Sequence, residues 1–232
     1  MMREQHIDRH ELKYMINYFD YVIFKNKFDK ILKRDQSCQE AAYTITSLYF
    51  DDIQNSALKQ KVDGDAFRYK YRIRYYNHDT SCFKLEKKSK YEQMTSKTSL
   101  DLSKEDVDHI LEGQIEFLKD TESEVGTAFY NEIIKNRLLP KVIVEYERLA
   151  FIHPIGDLRI TFDTAIKASF HQFDFTNQKY ILTPLLEPND VVLEIKFNHE
   201  LPQFIKGILE SNHSIQESIS KYALSRQYNY YL

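Results

Sequence analysis

"KYRIRYY", residues 70–76, sets Lys70, Arg72 and Arg74 at two-residue spacing, with Tyr71, Ile73 and Tyr75 between them and Tyr69 just ahead. In an extended strand successive side chains point to opposite faces, so the three cations share one side and the apolar groups the other. A row of fixed cations in a chain of net charge −3 needs either water or anions in front of it. One strand alone does not separate the two, because the solvated face of a half-buried sheet alternates in the same way. The question is whether other strands repeat the pattern.

They do. In "RHELKY" Arg9, Glu11 and Lys13 share a face, and in "FKLEKKSK" Lys84, Glu86 and Lys88 do. "DLRITFDT" aligns Arg159, Thr161 and Asp163; "VVLEIKF" aligns Glu194 and Lys196 against Val191, Leu193, Ile195 and Phe197. "VIVEYERLAF" places Tyr146 and Arg148 together, with Glu145 and Glu147 opposite unless a bulge intervenes. Solvated sheet faces favour Thr, Ser and Lys, whereas Arg and Glu recur here. An ionic face turned inward would hold a polyphosphate through charge-assisted hydrogen bonds, and its carboxylates a divalent metal. The periodicity also permits the outer-face arrangement, in which Glu194 and Lys196 are a cross-strand ion pair worth about 0.2–1 kcal/mol.

The rest of the chain supplies the frame. Strands are expected at 8–15, 43–50, 67–76, 82–90, 93–100, 141–151, 157–164 and 190–198. A helix is expected over 18–34, capped by Asn17 and apolar through Phe19, Ile23, Phe24, Phe28, Ile31 and Leu32. "SKEDVDHILEG" has Ser103 and Asp106 near capping-box spacing and Gly113 as a C′ stop. A second helical stretch covers 115–137. The tail reads as helical, with Pro202 in a first turn and "SIQE" (214–217) as the capping box of the last helix. The fold class is α+β, in one domain spanning 1–232: seven or eight strands with helices between them, adjacent strands mostly antiparallel, where a closed barrel would remove the sheet's edges.

Composition removes several functions. With 29% charged and 42% apolar residues and no net positive charge, a general nucleic-acid coat is excluded, so any polyanion site is a local concentration of cations. Five glycines, at 64, 113, 126, 156 and 207, leave no room for a Walker A loop or a GxGxxG fingerprint. Cys38 and Cys82 fit neither a metal spacing nor a disulfide framework, so the expected compartment is reducing and cytoplasmic. No apolar run reaches the roughly 20 residues of a membrane span, and Met1–His10 is too polar for a signal peptide. The eight histidines form no H-x-x-x-H pair, and Tyr49, Tyr69, Tyr71 and Tyr75 are expected to pack in the core and barrel wall rather than serve a site.

"ELKY", "SLYFD", "KYRIRYY", "LEKKSK", "YERLAF", "LRITFDT", "LEIKF" and "SKYALS" follow one another in the order of the VTC (vacuolar transporter chaperone) polyphosphate polymerase domain. The chain resembles that family, within the CYTH-like triphosphate tunnel metalloenzymes, over residues 8–225. The resemblance implies an antiparallel β-barrel tunnel of about eight strands, open at both ends and wrapped by helices. It also implies Mg²⁺- or Mn²⁺-dependent transfer of the γ-phosphate of ATP or another nucleoside triphosphate to polyphosphate or orthophosphate. A triphosphatase or a non-catalytic polyphosphate-binding module are the alternatives, and a membrane-protein partner that captures the product stays open.

By the same resemblance, Lys13 is the first-strand phosphate lysine, and Arg72 and Arg74 are the paired arginines of an R-x-R strand. Lys88 is the lysine two positions after the family glutamate, here Glu86. Tyr146 lies near the base and Arg148 on phosphate; Arg159 and Asp163 match R-I-x-x-D-T. Glu194, with Glu11, is expected to hold the metal. Ser220 and Lys221 resemble C-terminal helix residues that reach a phosphate, and Lys97 a further tunnel lysine. Hydrolytic members of the superfamily open with E-x-E-x-K. Here the same places read Arg9, Glu11 and Lys13, a departure that favours the polymerase branch and leaves the number of metals open.

Overall fold

The computed structural model describes residues 5–6, 10–38, 41–92, 94–154, 157–170, 173–198, 200–210 and 215–228. The longest elements are eight strands: β2 (His10–Asn17), β4 (Tyr43–Asp51), β5 (Phe67–Tyr76), β6 (Asp79–Tyr91), β7 (Met94–Leu102), β8 (Leu139–His153), β9 (Leu158–Ser169) and β11 (Asp190–Phe197). Three two-residue strands complete the sheet: β1 (Gln5–His6), β3 (Lys33–Arg34) and β10 (Thr183–Pro184). The order is β1-β7-β6-β5-β4-β8-β9-β11-β2, every pairing antiparallel, with β3 on β8 and β10 on β9. The first and last strands of that path, β1 and β2, are three residues apart in the chain, so the order returns to its start and the sheet curls into a tunnel.

Helices cover the outside because the outer face is apolar. Tyr71, Ile73 and Tyr75 of β5 are buried with Phe83 and Leu85 of β6 beneath α3 (Lys104–Leu111) and α4 (Glu124–Asn136), through Val107, Ile110 and Phe129. On another side, Phe28 of α1 (Tyr18–Ile31) lies on Phe151 and Phe162, and Phe24, one turn earlier, stacks on Phe28 in the same buried cluster. With both apolar flanks satisfied by helices, the charged faces are left for the interior.

Several local signals hold. The Asn17 side chain accepts from Asp20 N at 2.9 Å, Ser103 and Asp106 form a capping box, and Gly113 takes φ +83° as the C′ residue. Others need correction. The first helix ends at Ile31, since Lys33–Arg34 leave it to pair with β8. The 115–137 stretch is broken: a 3₁₀ turn at Glu116–Leu118 is followed by α4, whose N-cap is Ser123. Pro202 stands just outside α5 (Gln203–Glu210), its carbonyl accepting from Lys206 N. The last helix, α6 (Lys221–Tyr228), starts later than "SIQE" implies; Ser214 lies outside the described residues, and Glu217 N donates to Lys13 O of β2 at 2.8 Å. Helix α2 (Ser56–Asp63) was not expected at all. It is anchored from beneath by buried Asp51, whose carboxylate accepts from Ala57 N and Leu58 N.

Candidate functional site

Directly opposed residues on paired antiparallel strands point to the same face, so the register links the inward side chains strand by strand. Lys88 opposes Lys70 and Lys97; Glu86 opposes Arg72; Arg72 opposes Tyr49; Arg74 opposes Ser47. Arg148 opposes Tyr43 and Asp163, Glu194 opposes Thr161 and Lys13, and Lys196 opposes Arg159 and Glu11. The ring closes across space: Lys88 Nζ of β6 reaches Glu11 Oε2 of β2 at 3.2 Å, although these strands are not neighbours. A slip in register between Glu145 and Glu147 against β9, with Ala165 at φ +49°, lets Arg148 meet Asp163.

Three buried carboxylates organise the cations. Glu86 takes Arg72 Nη2 at 2.8 Å, Arg74 Nη2 at 2.6 Å and Lys97 Nζ at 3.3 Å. Burial alone would raise its carboxyl, but the three cations outweigh it and hold it down at about 2. Asp163 forms a fork with Arg148, Nε to Oδ1 at 2.6 Å and Nη2 to Oδ2 at 2.7 Å, and is also bonded by Lys221 of α6. Glu194 pairs with Lys196 at 2.6 Å, lies 3.6 Å from Arg148, and is within hydrogen-bonding reach of Glu11. Burial opposes its charge, yet Lys196 and Lys13 keep the carboxyl well below its ordinary range.

Four buried side-chain atoms facing this interior have no hydrogen bond: Arg74 Nε, Ser47 Oγ, Thr161 Oγ1 and Glu11 Oε1. Glu11 Oε1 still faces Lys13 Nζ at 3.3 Å, so the Arg74 N–H and the Ser47 and Thr161 hydroxyls are the groups here that could take up a ligand, since buried polar groups are nearly always paired.

Of the expected residues, Lys13, Arg72, Arg74, Lys88, Lys97, Tyr146, Arg148, Glu11 and Glu194 share the lumen. Lys221 enters it from α6, its ammonium 4.5 Å from the Tyr146 ring centre. Arg159 stands on a rim, tied to Asp35 at 3.0 Å and Tyr43 at 3.3 Å. Ser220 serves as the N-cap of α6, accepting from Ala223 N. Arg9 lies outside the described residues. Tyr49 was expected only to pack, but its hydroxyl accepts from Arg72 at 3.1 Å and its ring meets Tyr222 of α6. Glu86 and Asp163, matched to family motifs but given no role in the expected site, are its electrostatic centres. Their signal was in the sequence, since each shares a strand face with expected cations.

As to a metal, against the cost of burial neighbouring lysines hold the Glu11 and Glu194 carboxyls below the ordinary carboxylate range, and Glu11 Oε1 has ion-pair contacts, to Lys13 Nζ at 3.3 Å and Lys196 Nζ at 3.9 Å, but no hydrogen bond. Mg²⁺ and Mn²⁺ sites are satisfied by one or two carboxylates completed by phosphate oxygens and water, so these residues fit. Among the described residues no group of three His, Cys, Asp or Glu side chains converges, which limits the protein's share of such a site to this pair.

An antiparallel tunnel with an ionic lumen is the architecture of triphosphate-tunnel proteins. The chain belongs to the VTC domain family, whose model matches residues 8–230. Its fold is similar to a candidate adenylate cyclase from Bacillus halodurans, with a TM-score of 0.57 at 15% identity, covering 92% of this chain and 96% of that one. It is also similar to the PH1819 protein of Pyrococcus horikoshii, with a TM-score of 0.50 at 13% identity, covering 94% and 98%. Among curated proteins none matches the chain.

Proposed function

We propose that this chain is a metal-dependent phosphotransferase that moves the γ-phosphate of ATP, or of another nucleoside triphosphate, to the end of a polyphosphate chain inside the tunnel. The observation that carries this reading is the register-linked lumen itself, where cations from at least six strands face one another around unsatisfied donors. Phosphoryl transfer asks a protein for charge neutralisation and in-line placement rather than for a covalent intermediate.

Arg72, Arg74 and Arg148 are already oriented by Glu86 and Asp163, so little ordering remains when phosphate arrives. Arg74 Nε offers a ready donor. Lys13, Lys88 and Lys221 add charge at the sides, and Arg159 at the rim. A terminal oxygen of the acceptor forms the new bond to the γ-phosphorus; the bond to the β–γ bridging oxygen breaks, and ADP leaves with its electron pair. A divalent cation on Glu11 and Glu194 would neutralise charge on the phosphate oxygens. Tyr146 lies under both Arg148 and Lys221, its ring centre 5.3 Å and 4.5 Å from their charged groups, and helps hold the two cations in place.

Incubation with ATP and Mn²⁺, with separate assays for ADP, orthophosphate and acid-stable anionic polymer, tests this. ADP together with polymer is expected. Orthophosphate without polymer would make the protein a triphosphatase, and tight binding without turnover a binding module; either outcome rejects the transferase reading.

A further inference from the structure

One end of the lumen opens into a cavity of about 400 Å³ between α2, the segment leading into α6, and the starting end of β5. Arg68 directly opposes Lys90, and two residues along the same face Lys70 directly opposes Lys88. Like charges placed opposite one another across a strand pair repel and destabilise the sheet. Lys61 of α2 adds a further cation over this ladder, held there by a 2.5 Å hydrogen bond to Ser218. Glu11 and Glu217 are the only acids among the lining residues. Lys61, Arg68 and Lys90 form no ion pair among the described residues; Lys90 closes the "LEKKSK" stretch, but none of the three is given a role above. Burial together with neighbouring cations lowers the ammonium groups of Lys61 and Lys90 from their ordinary range. From Arg72 to Arg68 the inward positions extend the cationic wall by roughly 13 Å, enough for more than one phosphate unit.

We infer that this cavity is a second anion site, which takes the internal phosphate units of a linear polyphosphate while the central lumen holds the triphosphate and the reacting chain end. This rests on the transferase reading and gives it a direction: the growing chain lies toward α2. A short triphosphate is held in the lumen and does not need the cavity, whereas a long chain spans both.

The test uses the full chain, without metal, in calorimetry with two probes: inorganic tripolyphosphate and a long linear polyphosphate. In the Lys61→Ala/Lys90→Ala double variant, long-chain affinity should fall roughly tenfold or more, by loss of charge-assisted hydrogen bonds. Tripolyphosphate affinity should change less than about threefold. The variant's melting temperature without anion should rise, because the Arg68–Lys90 repulsion is gone; a merely structural role for these lysines would lower it. Equal losses for both probes, or no loss for either, overturn the inference. If the natural chain makes no polymer from ATP but the two probes still separate, the transferase reading falls and this site stands. Polymer synthesis without that separation removes the site alone.

Discussion

At Glu86, one buried carboxylate meets Arg72, Arg74 and Lys97, and its side chain is 2% exposed. Its ionised form is favoured in the folded protein, at about 2 against an ordinary 4.5. The folded value is the lower one, so the stabilisation is complete above about pH 4.5 and is lost as pH falls toward 2, on the order of 3 kcal/mol. Thermal melts between about pH 5 and pH 2 should show this slope, and Glu86→Gln should flatten it. At neutral pH the same variant leaves two arginines without their counter-charge, costing roughly 3–5 kcal/mol, and added tripolyphosphate should recover more stability in it than in the natural chain. Arg74→Ala removes an unsatisfied donor and a charge; phosphate affinity should drop about tenfold or more in calorimetry. Glu194→Gln should abolish ADP release with a smaller effect on phosphate binding, and unchanged turnover would remove Glu194 from the site.

Helices α2 and α6 are bound to one residue of the barrel wall. Asp51, 1% exposed, caps α2 through backbone N–H groups and accepts from the Tyr222 hydroxyl at 2.6 Å. Tyr222→Phe leaves that carboxylate oxygen short of a partner, and a loss of about 1–3 kcal/mol is expected in denaturant melts. Lys221, the residue before it, should then hold Asp163 less rigidly. On the opposite wall, α4 comes close at Gly126, where an added Cβ would sit 2.6 Å from Thr121 Oγ1 and 3.2 Å from Leu100 Cδ2. Gly126→Ala should destabilise by about 1–3 kcal/mol through overpacking, without changing phosphate affinity. These elements were the least legible. "SALKQKVD" buries only Leu58 and carries no apolar stripe, so α2 depends on Asp51 for its start. The start of α6 shifted because the backbone of β2 takes Glu217, a pairing that a capping-box motif does not encode.

For the molecule as a whole, cations face one another across the interior and repel, and the proposed phosphate ligand should relieve that repulsion. Lys70 shows it most clearly: burial, then Lys88, Lys13 and Arg72, push its ammonium well below its ordinary range. An anion favours the protonated form, so binding should take up a proton and tighten as pH falls; calorimetry in buffers of different ionisation enthalpy measures this. Tripolyphosphate at about 100 times its Kd should add roughly 2.7 kcal/mol, a melting shift of about 5–10 °C. No helix among the described residues is long and apolar enough to cross a membrane.

The alternation in "KYRIRYY", "LEKKSK", "LRITFDT" and "LEIKF" determined by itself which residues share a face, because side-chain direction along a strand is a local property of the backbone. Their chain order was enough for the family. Which way those faces turn was decided only by tertiary structure: α1, α3 and α4 cover the apolar sides, and β1 and β2 return the sheet to its start. The roles of Glu86, Asp163 and Tyr49, and the gathering of Lys61 with Arg68 and Lys90, belong to that second level. They depend on distances between residues far apart in the chain, which no local period contains.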